Sequence, residues 1–396
     1  MRVGFFVGEI QKGTAGGGAT FQTNVLYQLI KTKSDHIFYI FYKSEDNLFV
    51  DLENIKFVNL SKLNLLKLIK KFFSKKNKRE KKEISLNDKI LELQIELVWF
   101  LTPHYEFIEA PFVLTVWDLQ HRLQGYFPEV SLSGWDFNGR EKFYSEYIPK
   151  ASYVVIGNNQ GASEVEKFYN FPRERIRTIP LPTPQFVFEE KEDDKILFKN
   201  DLVKGNYLLY PAQFWPHKNH IRIIKALDIL RKQGINWKVV FTGSDKGNKD
   251  YIEKKVKEYN LQNEVKFLGF VSKSELISLY KNAFATTFLS ACGPDNIPPL
   301  ESMALGCPVI CADAKGMKEQ LGDAAIFFNS FDENELAERI KELSENDGIR
   351  EEIIRNGRIV AQSVTVDKYI EKIISLINEF VSIRECWSDK DKYIHL

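Results

Sequence analysis

Short apolar runs alternate with longer amphipathic stretches along most of the chain. One set of runs is VGFFV, HIFYIF, IELVWFL, FVLTVW and YVVIG, and a second set is YLLYPA, WKVVFTG, VKFLGF, FATTFL, PVICA and AIFF. Unbroken apolar runs separated by helix-length stretches are typical of parallel strands that helices cover on both faces. The pattern predicts an α/β protein with two doubly wound sheets.

The division into two sets also predicts the domain boundaries. A chain of 396 residues exceeds the size at which one hydrophobic core usually keeps growing. The two sets are separated by residues 181–201, a proline-containing and acidic stretch that is the best candidate for a linker. We predict a Rossmann-like domain over 1–180, a second over 181–375, and a C-terminal helix and tail over 376–396.

Charge and cysteine content narrow the class of protein. The net charge is only +1, and the basic excess is local rather than spread as in nucleic-acid-binding proteins, so we predict no nucleic-acid partner. Four cysteines without a CxxC pair are typical of a reducing compartment. The first apolar run is too short for a signal peptide, and no apolar span reaches 18 residues. We predict a cytoplasmic protein.

The basic residues concentrate in KLNLLKLIKKFFSKKNKREKKE, residues 62–83. Leu65, Leu66, Ile69 and Phe72 share one helical face, surrounded by lysines. Such a helix can lie in the headgroup layer of an anionic membrane, or it can pack on the N-terminal sheet with its lysines in solvent. The sequence favours neither alternative, and the first would make the protein peripheral to the inner face of a membrane.

A glycine run follows the first predicted strand. Gly16, Gly17 and Gly18 precede a predicted helix, where glycine lets backbone approach a phosphate and the helix N-terminus offers free N–H groups. The spacing matches neither the dinucleotide fingerprint nor a phosphate-binding P-loop. A phosphate contact and a flexible turn are equally compatible with it.

The stretch FWPHKNH, residues 214–220, places one lysine after a buried strand. We predict a helix starting near His217, with Lys218 in its first turn at the carboxyl end of the strand, where open α/β sheets bind ligands. Because a cation at that position opposes the helix dipole, we interpret Lys218 as a counter-charge for a diphosphate. A solvated surface lysine is the alternative.

A second stretch, GPDNIPPLESMALGCPV, begins another helix between two predicted strands. Pro298 and Pro299 suit the first turn of a helix. Glu301 lies one turn in, within reach of a ribose diol in the crevice between strands. An ordinary exposed helix glutamate is the alternative.

Together, YPAQFWPHKNH and GPDNIPPLESMALGCPV resemble the C-terminal domain of the retaining GT-B glycosyltransferases of family four, the glycosyl transferases group 1. The resemblance continues through VKFLGFVSKSELISLYKNAFATTFLS and FVLTVWDLQHRLQGYFPEVS, and it covers most of residues 100–330 and the first 30. It implies the GT-B fold, two Rossmann-like domains with a nucleotide-sugar cleft between them.

The resemblance also implies roles for individual residues. Lys218 would hold the donor diphosphate, Glu301 the ribose hydroxyls, and His121 in WDLQHR the transferred sugar. The implied catalytic residues are His121, Lys218, Asp295 and Glu301, and the implied donor contacts are Gly17, Gly18, Gln213, Lys218, Phe270, Asn296, Ile297 and Glu301.

Two positions depart from the family pattern. The first of two motif glutamates is replaced by Gly293, so we expect Asp295 or backbone N–H groups of GPDNI to take over its contacts. At the position where the family often has an arginine, five residues before the lysine, this chain has Gln213. Lys218 would therefore neutralise the phosphate charge with less support from a second cation.

The resemblance implies transfer of a sugar with retention from a nucleotide-sugar substrate, with no metal and no separate cofactor. The expected acceptor is a glycan or lipid-linked saccharide of a surface polysaccharide such as O-antigen or capsule, and residues 102–147 would shape the acceptor side. The alternatives are a nucleotide-sugar epimerase and a non-catalytic binding relative, the latter suggested by Gly293 and Gln213.

Overall fold

Two parallel sheets account for the apolar runs of the sequence. In this computed structural model, the described residues are 1–9, 16–44, 49–61, 85–131, 137–189 and 191–387. The first sheet has the order β3-β2-β1-β4-β5-β6-β7, with β1 Arg2–Glu9, β2 Ile37–Lys43, β3 Ile55–Asn59, β4 Leu97–Phe100, β5 Phe112–Thr115, β6 Tyr153–Ile156 and β7 Ile176–Thr178. The second has the order β10-β9-β8-β11-β12-β13, with β8 Tyr207–Pro211, β9 Lys238–Thr242, β10 Val265–Gly269, β11 Ala285–Phe288, β12 Val309–Ala312 and β13 Ile326–Phe328.

Helices connect the strands and cover both faces of each sheet. Those within or next to the first sheet are Gly17–Lys31, Leu86–Glu92, Gln120–Leu123, Pro128–Ser131, Phe137–Tyr147, Asn159–Tyr169 and, at the end of the chain, Val366–Arg384. Phe186–Glu189 and Lys195–Lys199 precede β8, and the second sheet carries Ile221–Lys232, Lys249–Glu258, Lys273–Asn282, Ile297–Ala304, Met317–Leu321, Glu333–Glu345 and Asp347–Ser363. Short 3-10 turns lie at Arg173–Arg175, Pro216–Lys218 and Gly322–Ala324.

The apolar runs form strands because each one buries both of its faces. In β1, Phe5 packs into the core on one side of the first sheet and Phe6 into the core on the other. In β8, Leu208 and Leu209 divide in the same way between the two sides of the second sheet. The prediction of two doubly wound α/β domains is confirmed.

Two strands were not predicted, and both are edge strands. In β3, the three central residues of IKFVN are only half-buried, and β7 is the three-residue run IRT. A strand at the edge of a sheet has a neighbour on one side only, so it needs no continuous apolar run. The sequence signal thus weakens at both edges of the first sheet, whereas the edge strands β10 and β13 of the second sheet were predicted from their apolar runs.

The helix Val366–Arg384 belongs to the core of the first domain. Tyr369, Ile373 and Phe380 pack with Phe21 and Trp99 on the first sheet. The predicted boundary at residue 375 therefore falls inside a continuous helix and has to be corrected: the chain returns to the first domain before Val366. The apolar spacing predicts the helix, but it cannot say which of two sheets the helix covers.

The predicted linker is ordered where it leaves the first domain. Thr183 forms an isolated parallel bridge with Thr365, its N–H donates to Val364 O (2.7 Å), and its hydroxyl donates to Ala361 O (2.8 Å). The two connections between the domains thus lie side by side.

The predicted membrane-binding segment, residues 62–83, lies outside the described residues. Within the part of the chain that the structure describes, no helix combines the length and the apolar character needed to cross a membrane.

The packing of the last helix predicts an effect on stability. Ile373 is 2% exposed in the first domain's core, so Ile373→Ala should reduce the free energy of unfolding by about 2–5 kcal/mol through lost burial and the cavity left behind. Ile383→Ala, on the same helix but 47% exposed, should change it by less than about 0.5 kcal/mol. Urea unfolding followed by circular dichroism gives both values. Equal losses in the two variants would contradict the packing described here.

Candidate functional site

A deep cleft lies between the carboxyl ends of the strands of the two sheets. Its volume is about 1410 Å³. From the first domain it is lined by the turns after β1, β4 and β5, and from the second by the turns after β8, β9, β10 and β11. This is the position at which open α/β sheets bind ligands. All of the predicted site residues except His121 line the cleft.

The glycine run begins the helix Gly17–Lys31 at the cleft surface. A Cβ atom on Gly18 would lie 2.8 Å from the Trp117 ring, so only glycine fits there without movement of Trp117. A Cβ on Gly17 would lie 3.6 Å from Ile297 Cδ1, across the cleft. Gly18 is thus the position that excludes a side chain, whereas a Cβ on Gly17 would make an ordinary van der Waals contact.

Lys218 lies in the turn Pro216–Lys218 and not in the first turn of a helix. Asn219 follows in the left-handed conformation (φ 56°), and the helix begins only at Ile221. The predicted start near His217 is corrected accordingly, since the αL residue separates the turn from the helix. The Lys218 side chain still reaches the cleft from the end of β8, as predicted.

The Lys218 ammonium is held among neutral groups. Its Nζ lies 3.3 Å from Ser290 Oγ and 5.2 Å from the centre of the Phe288 ring, and Tyr210 fixes the backbone by donating to Lys218 O (2.6 Å). Burial lowers the pKa of Lys218 below its ordinary value of 10.5. A cation held in this way has much to gain from an anionic ligand.

Glu301 is buried rather than exposed, so the alternative of an ordinary surface glutamate is wrong. It lies on the helix Ile297–Ala304 and is 7% exposed, and Tyr280 donates a hydrogen bond to its Oε2 (2.8 Å). Burial raises the pKa of Glu301 to about 7. Its carboxyl group lines the cleft, where it can accept hydrogen bonds from hydroxyl groups.

Asp295 lies at the boundary between the two domains. Its Oδ2 accepts a hydrogen bond from the backbone N–H of Leu181 (2.8 Å), and a Cβ atom on Gly157 would overlap the same carboxylate. Burial raises the pKa of Asp295 to about 7, and its Oδ1 has no hydrogen-bond partner among the described residues. Asp295 thus joins the domains at the edge of the cleft.

Asn296 and Ile297 are engaged within the protein. Gln320 accepts from the N–H of Asn296 (3.0 Å) and donates to its carbonyl (2.7 Å), so the Asn296 N–H already has a partner. The Ile297 side chain packs into the core cluster of the first domain. At the start of this helix, Ile297 contributes to the contact between the domains, Asn296 is held within the second domain, and both residues line the cleft.

Gln213 and Phe270 lie on the second domain's side of the cleft. Gln213 donates from Nε2 to Ser244 Oγ (3.1 Å), and its Oε1 accepts from Trp215 Nε1 (3.1 Å). Phe270 is 67% exposed, a large apolar surface that a flat ligand group can cover.

The structure does not bring His121 into the cleft. The residue is 0% exposed, its Nε2 lies 3.1 Å from Glu141 Oε2, and its ring stacks on the inner side of Tyr144. Burial lowers the pKa of His121 to about 4. Tyr144, which lines the cleft, stands between His121 and any ligand in this arrangement.

Two pairs of charged residues at the cleft lie outside the catalytic and donor-binding residues that the resemblance implies. Asp118 lines the cleft and is paired with Arg140 (2.7 Å), and it also accepts from the N–H of Gln120 (3.0 Å). Glu129 of the first domain pairs with His217 of the second, and His217 lines the cleft. The motif WDLQHR did draw attention to this region, but its acid, rather than its histidine, faces the cleft.

The raised pKa of Glu301 predicts a pH-dependent stability. The folded state holds the proton up to about pH 7 and the unfolded chain only to about 4.5, so this contribution to stability is lost as pH rises between those values. Relative to Glu301→Gln, the wild-type protein should lose about 3 kcal/mol of unfolding free energy between about pH 5 and pH 8. Urea unfolding at both pH values measures this difference in unfolding free energy. Glu338→Gln, at an exposed position, is the matched control. A constant difference between wild type and Glu301→Gln would contradict the burial argument.

Comparison with known proteins agrees with this architecture. Residues 192–360 match the family model described as Glycosyl transferases group 1. O-antigen chain mannosyltransferase B of Escherichia coli is 24% identical over 226 residues, which are 56% of this chain and 59% of that protein. O-antigen chain mannosyltransferase RfbU of Salmonella typhimurium is 29% identical over 213 residues, 52% of this chain and 56% of that protein. The matched region thus spans less than two thirds of either relative.

Solved structures are similar over nearly the whole chain. Sucrose-phosphate synthase from Thermosynechococcus elongatus has a TM-score of 0.71 at 15% identity, with coverage of 96% of this chain and 99% of that one. HepE from Anabaena in complex with UDP has a TM-score of 0.67 at 18% identity, covering 96% and 100%. WaaG, a glycosyltransferase involved in lipopolysaccharide biosynthesis, has a TM-score of 0.67 at 15% identity, covering 95% and 99%. The chain has the GT-B fold, and its residues 192–360 match the model of the glycosyl transferases group 1 family.

Proposed function

We propose that this protein is a retaining glycosyltransferase that transfers a sugar from a nucleoside-diphosphate donor to a saccharide in the synthesis of a surface polysaccharide. The observation that carries the proposal is the meeting of Lys218, Glu301 and the glycine-led helix in one cleft at the carboxyl ends of both sheets. The names of the two O-antigen mannosyltransferases support the acceptor class, and the HepE complexes with UDP and UDP-glucose support a nucleotide-sugar donor.

In this proposal the donor diphosphate lies between Lys218 and the start of the helix Ile297–Ala304. A helix N-terminus and a buried ammonium both attract negative charge. As the bond between the sugar and the diphosphate breaks, negative charge grows on the leaving oxygen. The Lys218 ammonium is fixed by Ser290 and by the backbone bond from Tyr210, so it stabilises that charge without reorganising.

Glu301 holds the ribose of the donor. Its Oε2 is held by the hydroxyl of Tyr280, and the carboxylate retains further lone pairs for the hydroxyl groups of a ribose. Donated hydrogen bonds stabilise the ionised carboxylate, so a bound ribose would lower the pKa of Glu301 from about 7. Phe270 supplies an apolar surface for the base.

Retention follows when the donor phosphate oxygen takes the proton from the acceptor hydroxyl. The acceptor then attacks from the face that the leaving group occupied, through an oxocarbenium-like ion pair. This scheme needs no metal ion, since the positive charge of Lys218 balances the negative charge of the diphosphate. In this proposal, the Asp295 carboxyl at the edge of the cleft contacts a hydroxyl group of the donor sugar.

The acceptor lies on the first domain's side of the cleft. Lys43 is paired there with Glu106 (2.6 Å), and Arg140 with Asp118 (2.7 Å). Ion-paired side chains offer both donors and acceptors without excess charge, which suits the hydroxyl groups of a neutral saccharide. All four cysteines are free thiols, which is compatible with the proposed cytoplasmic location.

A non-catalytic donor-binding protein is the second candidate, because of Gly293. This residue has φ 107°, and a Cβ atom there would lie 2.9 Å from the Asn296 amide. The loop therefore has a shape that does not suit the glutamate expected at this position from the family pattern. Donor binding without transfer to any acceptor would favour this candidate.

Loss of the lysine predicts loss of donor binding. A nucleoside-diphosphate sugar at a hundred times its dissociation constant should stabilise the wild-type protein by about 2.7 kcal/mol. This shift should disappear in Lys218→Ala and remain in Lys257→Ala, a change at an exposed surface position. Thermal unfolding with UDP-, GDP- and dTDP-sugars measures it. An unchanged shift in Lys218→Ala would exclude Lys218 from the diphosphate site.

The stereochemistry of transfer tests the reaction itself. With the donor that stabilises the protein and an oligosaccharide acceptor, the product should keep the anomeric configuration of the donor, and EDTA should leave the rate unchanged. Proton NMR of the isolated product gives the configuration. An inverted product would overturn the retaining mechanism, and binding without any product would favour the second candidate.

A further inference from the structure

A buried carboxylate–imidazole pair joins the two domains beside Lys218. Glu129 lies on the helix Pro128–Ser131 of the first domain, and His217 lies in the turn Pro216–Lys218 of the second. Glu129 Oε1 accepts from the backbone N–H of His217 (2.9 Å) and from its ring Nδ1 (2.5 Å). The two side chains are only 1% and 5% exposed, yet the His217 ring lines the cleft.

We propose that His217 is a second cationic contact for the donor diphosphate, and that Glu129 is the positioning residue that holds the His217 ring and stabilises its positive charge. The inference rests on the proposed function, because it concerns the ligand that Lys218 is proposed to bind. It assigns His217, the residue before Lys218, to the same diphosphate.

The hydrogen bonds fix which ring nitrogen meets the ligand. An ionised carboxylate only accepts, so Nδ1 carries the proton in the bond to Glu129. Any hydrogen bond from this ring to a ligand in the cleft must therefore come from Nε2. Phe127 and Trp215 flank the ring at 6.2 and 6.5 Å between centroids, which limits its rotation.

The charges around His217 favour a ring that becomes protonated when an anion binds. Burial lowers the pKa of His217, the hydrogen bond that its ring donates to Glu129 opposes this, and the Lys218 ammonium adds to the lowering. Asp118 raises the pKa of His217, but Asp118 is itself paired with Arg140. A diphosphate between His217 and Lys218 would remove their mutual repulsion and favour the charged imidazolium.

Glu129 is suited to stabilise that charge because it stays ionised. Burial alone would raise its pKa, but hydrogen bonds from the His217 ring and backbone keep the pKa of Glu129 below its ordinary value of 4.5. A fixed carboxylate on the far side of an imidazole stabilises the imidazolium form. The pair can thus take up one proton from solvent at Nε2 when the diphosphate enters.

Among the described residues, the other lysines and the arginine that line the cleft interact with acidic side chains. Lys43 pairs with Glu106 and Arg140 with Asp118, and Lys273 acts electrostatically on Glu301. At the position where a second cation would assist Lys218, Gln213 is neutral and bonded to Ser244. His217, which precedes Lys218 in the chain, is a side chain that becomes positively charged when it takes up a proton.

The test is the number of protons taken up when a nucleoside diphosphate binds to the full-length protein. Isothermal titration calorimetry at about pH 7.5, in two buffers of different ionisation enthalpy, gives this number with UDP or GDP as the probe. Wild-type protein should take up part of a proton more than His217→Gln and Glu129→Gln. The comparison between variants cancels the titration of the ligand itself.

Both substitutions are designed to preserve the local structure. Glutamine at 217 keeps a neutral donor near the position of Nε2, and glutamine at 129 keeps an acceptor for both hydrogen bonds. We expect affinity for the diphosphate to fall roughly tenfold or more in each, as a charge-assisted contact becomes neutral. Affinity for the matching nucleoside, which carries no phosphate, should stay unchanged.

The outcomes separate the inference from the proposed function. Equal proton uptake in wild type and both variants would overturn the role of His217 while leaving the donor site intact. Weaker binding of the nucleoside and the diphosphate alike, with the proton count unchanged, would show a purely structural pair and also overturn it. Failure of every nucleoside diphosphate to bind the wild-type protein would overturn the proposed function together with the inference.

Discussion

The geometry of the cleft depends on the chain passing twice between the two domains. The chain leaves the first domain at Thr183 and returns at Thr365, and these residues pair with each other in a bridge in which Thr183 is fully buried. Because both connections are tied together at one place, the carboxyl ends of the two sheets are kept facing each other. Motion of one domain relative to the other is then restricted to rotation about this place, which is the geometry of a hinge.

Side-chain contacts away from Thr183 and Thr365 also join the two domains. Glu319 of the second domain accepts from the backbone N–H groups of Asn159 (2.8 Å) and Gln160 (3.2 Å), at the start of a helix of the first. A carboxylate at a helix N-terminus satisfies free N–H groups and interacts well with the helix dipole. Such polar contacts can exchange with water when the domains open, whereas an apolar contact of the same area would resist opening.

Sequence reasoning located strands and loops well because these depend on local patterns. Pro216 and Asn219 illustrate the limit: both were visible, yet the left-handed residue that ends the turn at Lys218 was not anticipated, and the helix start was placed too early. The pairing of Glu129 with His217 joins residues 88 positions apart, and no local pattern encodes it. His121 was singled out from its motif, but burial behind Tyr144 is decided by tertiary packing, which a single sequence does not reveal.

The return of the helix Val366–Arg384 to the first domain reverses the order in which the domains can be completed during synthesis. The second domain has all of its described strands and helices once residue 363 has been made. The first domain, although translated earlier, lacks one wall of its core until the last helix emerges from the ribosome. Its apolar surface, including Phe21 and Trp99, therefore stays exposed until the helix Val366–Arg384 has been made. Chaperones that bind exposed apolar surface would then act mainly on the domain that is synthesised first.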